Sequence, residues 1–108
     1  MARGIANGYL NGAAGSLTMG QVRQNSALHR FEFDIAGGTG LALYRLADGV
    51  MTFTHTEVPA ALRGRGIGSQ MMHAVLQNVR AQGLKVVPRC PFVADFIDRH
   101  PQHADLLA

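Results

Sequence analysis

Between residues 30 and 58 apolar and polar positions alternate with a period of two. "RFEFDI" (30–35) sets Phe31, Phe33 and Ile35 on one side and Glu32 and Asp34 on the other, the pattern of a half-buried strand. "AGGTG" (36–40) reads as a turn and "LALYRL" (41–46) as a second strand. Asp48-Gly49 is a hairpin signal, because both residues tolerate the positive φ of a tight turn. "VMTFTHTEV" (50–58), rich in β-branched residues, reads as a third strand that Pro59 ends. Short turns between three strands predict an antiparallel meander.

The period then changes. Ile67, Met71, Val75 and Val79 recur every four residues, joined by Met72 and Leu76. Ser69, Gln70, His73, Gln77 and Arg80 fall on the opposite side, which predicts an amphipathic helix over 66–82 with His73 in solvent, closed by Gly83. "LKVV" (84–87) is a short strand, stopped by Pro88. Strand, helix, strand implies a right-handed crossover, with residues 84–87 parallel to 50–58. "PFVADFIDRH" (91–100) reads as a short helix with Phe92, Phe96 and Ile97 inward, broken before Pro101. The expected fold class is α+β: an antiparallel meander, a strand–helix–strand parallel crossover and a short C-terminal helix.

The first residues follow neither period. Glycines at 4, 8, 12, 15 and 20 oppose any regular element, so residues 1–24 are expected to form a flexible extension and 25–108 a single domain. Composition adds limits. The chain is 47% hydrophobic and 16% charged, as in globular domains. One cysteine, Cys90, excludes an internal disulfide and fits a reducing compartment. No apolar run approaches the roughly 18 residues of a membrane span, and the N-terminal residues lack the apolar block of a signal peptide, so a cytoplasmic location is expected. The net charge is +3 and nine of the ten cations are arginines, a mild bias toward anionic ligands. With no tryptophan, 6% aromatic residues and dispersed arginines, nucleic acid is not an expected partner. Monomer and homodimer are both compatible with this composition.

The candidate chemistry collects at one rim. In open sheets with crossovers, ligands bind beyond the carboxyl ends of the strands. "HTEV" (55–58) ends the third strand, "LRGRGIGSQ" (62–70) leads into the long helix, and Cys90 follows the parallel strand. The helix start offers no acid to its free N–H groups. It offers Arg63 and Arg65 among Gly64, Gly66 and Gly68 instead, an arrangement suited to a phosphate. It is not the Walker loop, since no Gly-Lys-Ser/Thr follows, and Ser69 stands where the dinucleotide fingerprint needs its third glycine.

"RGRGIG" matches the R/Q-x-x-G-x-G/A signature of the GNAT N-acetyltransferases. "HTEVPAALRGRGIGSQMM", followed by "VVPRCPFVADFIDRHP", resembles the small YjdJ-like branch of that superfamily over roughly residues 25–107. The resemblance implies a minimal GNAT fold that takes acetyl-CoA as co-substrate and passes the acetyl group to an amine. The pyrophosphate would rest on the backbone of Arg63, Gly64, Arg65, Gly66, Ile67, Gly68 and Ser69. The pantetheine arm would lie along the strand end at Glu57 and Val58.

Three residues are candidates for catalysis. Cys90 follows a strand and precedes a proline-started helix beside Arg89, and both features favour the nucleophilic thiolate. In the branch that this chain resembles, the matching cysteine lies near the acetyl group as a candidate acyl acceptor, and direct transfer from acetyl-CoA to the amine, without an acyl-enzyme, stands equally beside it. Glu57 and His55, two apart on one strand, project from the same face and could take a proton from the amine. No metal is expected: Cys90, His100 and His103 fit no standard ligand spacing. Many GNAT enzymes protonate the departing thiolate with a tyrosine in the last helix region, but no tyrosine follows residue 44 here. The alternative reading is a module that holds coenzyme A or acetyl-CoA without turnover.

Overall fold

The structure is a computed structural model that describes residues 21–108. Five strands form one sheet in the order β1 (Gln21–Asn25), β2 (Arg30–Ile35), β3 (Gly38–Ala47), β4 (Val50–Glu57) and β5 (Lys85–Pro88). The first four are antiparallel neighbours, and β5 runs parallel to β4. Helix α1 (Ile67–Ala81) makes the crossover and helix α2 (Pro91–Arg99) follows β5. A 3-10 helix, Pro101–Leu106, then brings Leu107 beside Val86 on the free edge of β5.

The core lies between one face of the sheet and the helices. Phe31, Phe33, Tyr44, Met51 and Phe53 from the sheet meet Met71, Met72, Val75, Leu76 and Val79 from α1, with Val93, Phe96 and Ile97 from α2. Each large side chain withdrawn from water contributes about 1.5–3 kcal/mol. The other sheet face carries no helix among the described residues. There Glu32, 6% exposed, is held by Arg30, Arg23 and Asn25. The hydrogen bond from Arg30, with that from Asn25, lowers its pKa.

The predicted elements are present with shifts at their ends. Helix α1 stops as foreseen: Gly83, at φ 72, sends its N–H to the Arg80 carbonyl while Leu84 N–H reaches Val79, a Schellman closure. Several expectations need correction. Residues 21–24 are not part of an extension, because Gln21–Asn25 pairs along the whole of β2. That strand holds through its ladder and through Arg23, which bridges Glu32 and Asp34. With one apolar residue, Val22, it leaves little periodicity to read. The rest of the predicted extension, residues 1–20, lies outside the described residues. The predicted turn 36–40 is shorter, since β3 already begins at Gly38. Finally, His73 is packed between α1 and α2 rather than solvated.

Among the described residues, no helix is long and apolar enough to cross a membrane.

Candidate active site

The site begins with a fault in the ladder. Tyr44 pairs with Phe53, but Leu43 pairs with His55, so Thr54 is an extra residue on β4. A bulge of this kind shifts the alternation of every residue after it. Before it, Met51 and Phe53 enter the core. Without it, His55 and Glu57 would follow them inward. Instead they face outward at 55% and 58% side-chain exposure, with His55 Nε2 3.1 Å from Glu57 Oε2. Thr56 takes the inward position, and its Oγ1 lies 3.7 Å from Cys90 Sγ.

The parallel strands part just beyond this point. Their register runs from Val50 with Lys85 to Phe53 with Pro88, and the Cys90 N–H closes the last step on the Phe53 carbonyl at 2.9 Å. Strand β4 continues to Glu57, while the other chain turns into α2. Cys90 is the N-cap of α2 and is 5% exposed.

Opposite the strand end is the glycine-rich turn. A 3-10 helix, Ala60–Leu62, anchors it by burying Leu62. Gly64 and Gly66 stand at φ 82 and 73, in the left-handed region where a side chain is strained. Gly66 is the N-cap of α1, with no side-chain cap and no acid in the first turn. The N–H groups of Ile67, Gly68 and Ser69 therefore have no intrahelical carbonyl one turn back, and all three residues line the open side. Arg63 Nε–H donates to the Val58 carbonyl at 3.1 Å, tying the turn to the end of β4.

Strand end and turn enclose an open cleft of about 800 Å³, within the range of small-molecule sites. Of the sequence-predicted residues, His55, Glu57, Val58, Arg63, Gly64, Gly66, Ile67, Gly68 and Ser69 line it. Arg65 and Cys90 do not belong to this lining. Thr56 and Phe92 are among the wall residues that the sequence pattern does not point to. Thr56 was hidden by the bulge, which no simple alternation reveals. The apolar pattern places Phe92 in the core, yet it is 40% exposed and forms part of the cleft wall. Its place one residue after a helix-starting proline was the available signal. Among the described residues, no cluster of three or more His, Cys, Asp or Glu is arranged to hold a metal ion.

A second polar cluster lies away from the cleft. His73 Nδ1 is 3.1 Å from His103 Nε2, and His100 stacks on Phe96 at 4.1 Å between ring centroids. Burial lowers the pKa of both His73 and His103, helped at His73 by repulsion from His100 and at His103 by repulsion from His73, Arg80 and His100. Arg80 clamps Asp105 beside them, and this holds the Asp105 carboxyl at a pKa of about 2.

Comparison with known proteins bears on this geometry. Residues 30–106 match the family model described as GCN5-related N-acetyl-transferase. Over 52 residues the chain is 35% identical to Protein NATD1 of Bos taurus and of Homo sapiens, covering 48% of this chain and 46% of each relative. It thus spans about half the length of the curated relatives that it matches. The fold is similar to the NMR solution structure of a GCN5-like protein from Staphylococcus aureus, with a TM-score of 0.62 and 23% identity. That match covers 82% of this chain and 87% of the other.

Proposed function

Because the chain belongs to the GCN5-related N-acetyltransferase family, we propose that it binds acetyl-CoA in the cleft between β4 and α1 and transfers the acetyl group to an amine. The observation that carries this reading is the helix start: uncapped and free of acid, with two left-handed glycines, it faces the end of a parted strand pair. Three free N–H groups and Arg63 suit the pyrophosphate. Arg65 adds charge nearby. Beyond Phe53, β4 has no partner on its β5 side among the described residues, so backbone at Glu57 and Val58 can pair with the pantetheine arm.

Acetyl transfer then needs an acceptor for the acetyl group and a base for the amine. Cys90, at the N-cap of α2 beside the strand end, takes the acetyl group first and yields it to the amine. The exposed His55–Glu57 pair on the rim of the cleft receives the proton that the ammonium must lose before it attacks. Holding thioester and nucleophile together supplies much of the rate. The family and the fold support acetyl transfer in general; the roles of Cys90, His55 and Glu57 rest on their placement.

Titration with acetyl-CoA followed by backbone amide NMR tests the site. Large shifts are expected at 57–58, 63–69 and 90–92. Amides that stay still at millimolar ligand would overturn the reading. A binding module without turnover would shift the same amides but leave every offered amine unmodified.

A further inference from the structure

The reaction just proposed has an unfilled role. When Cys90 takes the acetyl group its thiol must lose a proton, and the coenzyme A sulfur must gain one. No tyrosine follows residue 44 to donate it. Nor do the exposed His55 and Glu57 supply it: they project from the opposite side of β4 to Thr56, and Cys90 is buried.

We propose that Thr56, placed on the inner side of β4 by the Thr54 bulge, positions the Cys90 thiol and relays its proton. This rests on the reading that Cys90 accepts the acetyl group. Three observations carry it. Thr56 Oγ1 lies 3.7 Å from Cys90 Sγ, within hydrogen-bonding range for sulfur. Thr56 also lines the cleft, so the residue stands between the thiol and the space where a thioester would lie. The bulge, moreover, is what turns Thr56 rather than His55 toward the thiol, and bulges commonly re-aim a side chain beside an active site.

The step balances without another reactant. Cys90 Sγ forms a bond to the thioester carbonyl carbon, and the bond from that carbon to the coenzyme A sulfur breaks. The thiol proton passes to the Thr56 oxygen as the Thr56 hydroxyl proton passes to the departing sulfur. The hydroxyl is restored, leaving acetyl-Cys90 and coenzyme A thiol. A relay suits a hydroxyl, which is both donor and acceptor but too weak an acid to carry a net charge at neutral pH.

The test follows acetylation of Cys90 by mass spectrometry after mixing with acetyl-CoA, in wild type, Thr56→Val and Thr56→Ser. Valine keeps the shape and removes the hydroxyl; serine keeps the hydroxyl. The Thr56→Val rate should fall about 100-fold, the scale of positioned proton transfer. It should recover steeply as pH rises and solution base takes over. Thr56→Ser should stay within a few-fold of wild type, and the amide shifts on acetyl-CoA binding should persist in both variants. Acetylation of Thr56→Val at the wild-type rate, or an equal loss in Thr56→Ser, would refute the relay while leaving the Cys90 reading intact. A wild-type protein that binds acetyl-CoA and never acetylates Cys90 removes the reading itself, and the relay with it.

Discussion

Gly68 lies against the tip of the Phe92 ring: a Cβ on Gly68 would stand 2.8 Å from Phe92 Cζ. The glycine is required here by the approach of a side chain, not by its own backbone. Since Phe92 is 40% exposed, its ring can swing aside. Alanine also forms helix better than glycine by about 1 kcal/mol. Gly68→Ala should therefore leave unfolding free energy within about 1 kcal/mol of wild type. The displaced ring and the new methyl group would intrude on the cleft, weakening acetyl-CoA by about tenfold, roughly one lost contact to a charged group. Calorimetric titration and urea melts read the two effects separately, and unchanged affinity would contradict this account of Phe92.

Gly66 should behave in the opposite way. A Cβ there meets nothing within 4 Å, but the backbone stands at φ 73. An alanine would carry the left-handed strain of about 1–2 kcal/mol. Gly66→Ala should lower the unfolding free energy read from urea melts by that amount, whereas a neutral or stabilising outcome would mean that the turn relaxes to another conformation.

The pair of His73 and His103 gives the protein a pH dependence of known sign. Their folded pKa values lie below the ordinary 6.5, chiefly through burial. A group depressed in this way contributes its full stability above 6.5 and loses it as pH falls through the lower folded value. Protonation would set two cations against each other and against Arg80 and His100, with Asp105 the nearby acid. Melting temperature should thus drop between pH 7.5 and pH 5. This window lies above the titration of Glu32 and Asp105, whose pKa values are lowered. Replacing both histidines by glutamine should flatten the drop; a double variant with the full wild-type slope would place its origin elsewhere.

Most of the sheet and both helices are legible because burial on one face leaves a period of 2 or 3.6 in the sequence. Strand β1 is not, because an edge strand held by its ladder and by Arg23 needs no alternation. The site divides along the same line. Gly64 and Gly66 are readable from type alone, since their conformations demand glycine. Thr56 is not, because its direction depends on a one-residue insertion in pairing with β3, a relationship between Leu43 and His55 that neither segment shows by itself. His73 misleads for a similar reason: α1 has a polar side, but α2 and the 3-10 helix cover part of it.

Arg63 and Arg65 look equivalent in "RGRG", and the structure separates them. Arg63 lines the cleft and spends its Nε–H on the Val58 carbonyl, leaving its two terminal nitrogens for an anion. Arg65 stands outside the lining. Bidentate contacts to a phosphate need a held guanidinium, whereas a remote arginine acts through its field, which salt screens over about 10 Å at 0.1 M. Arg63→Gln should weaken acetyl-CoA by about tenfold or more, at the scale of a charge-assisted hydrogen bond, with much of the loss persisting in high salt. Arg65→Gln should cost only a few-fold, and that difference should shrink as salt rises. Calorimetric titration at two ionic strengths distinguishes the residues. Equal losses with equal salt dependence would mean that both side chains reach the ligand and that the cleft extends past Gly64.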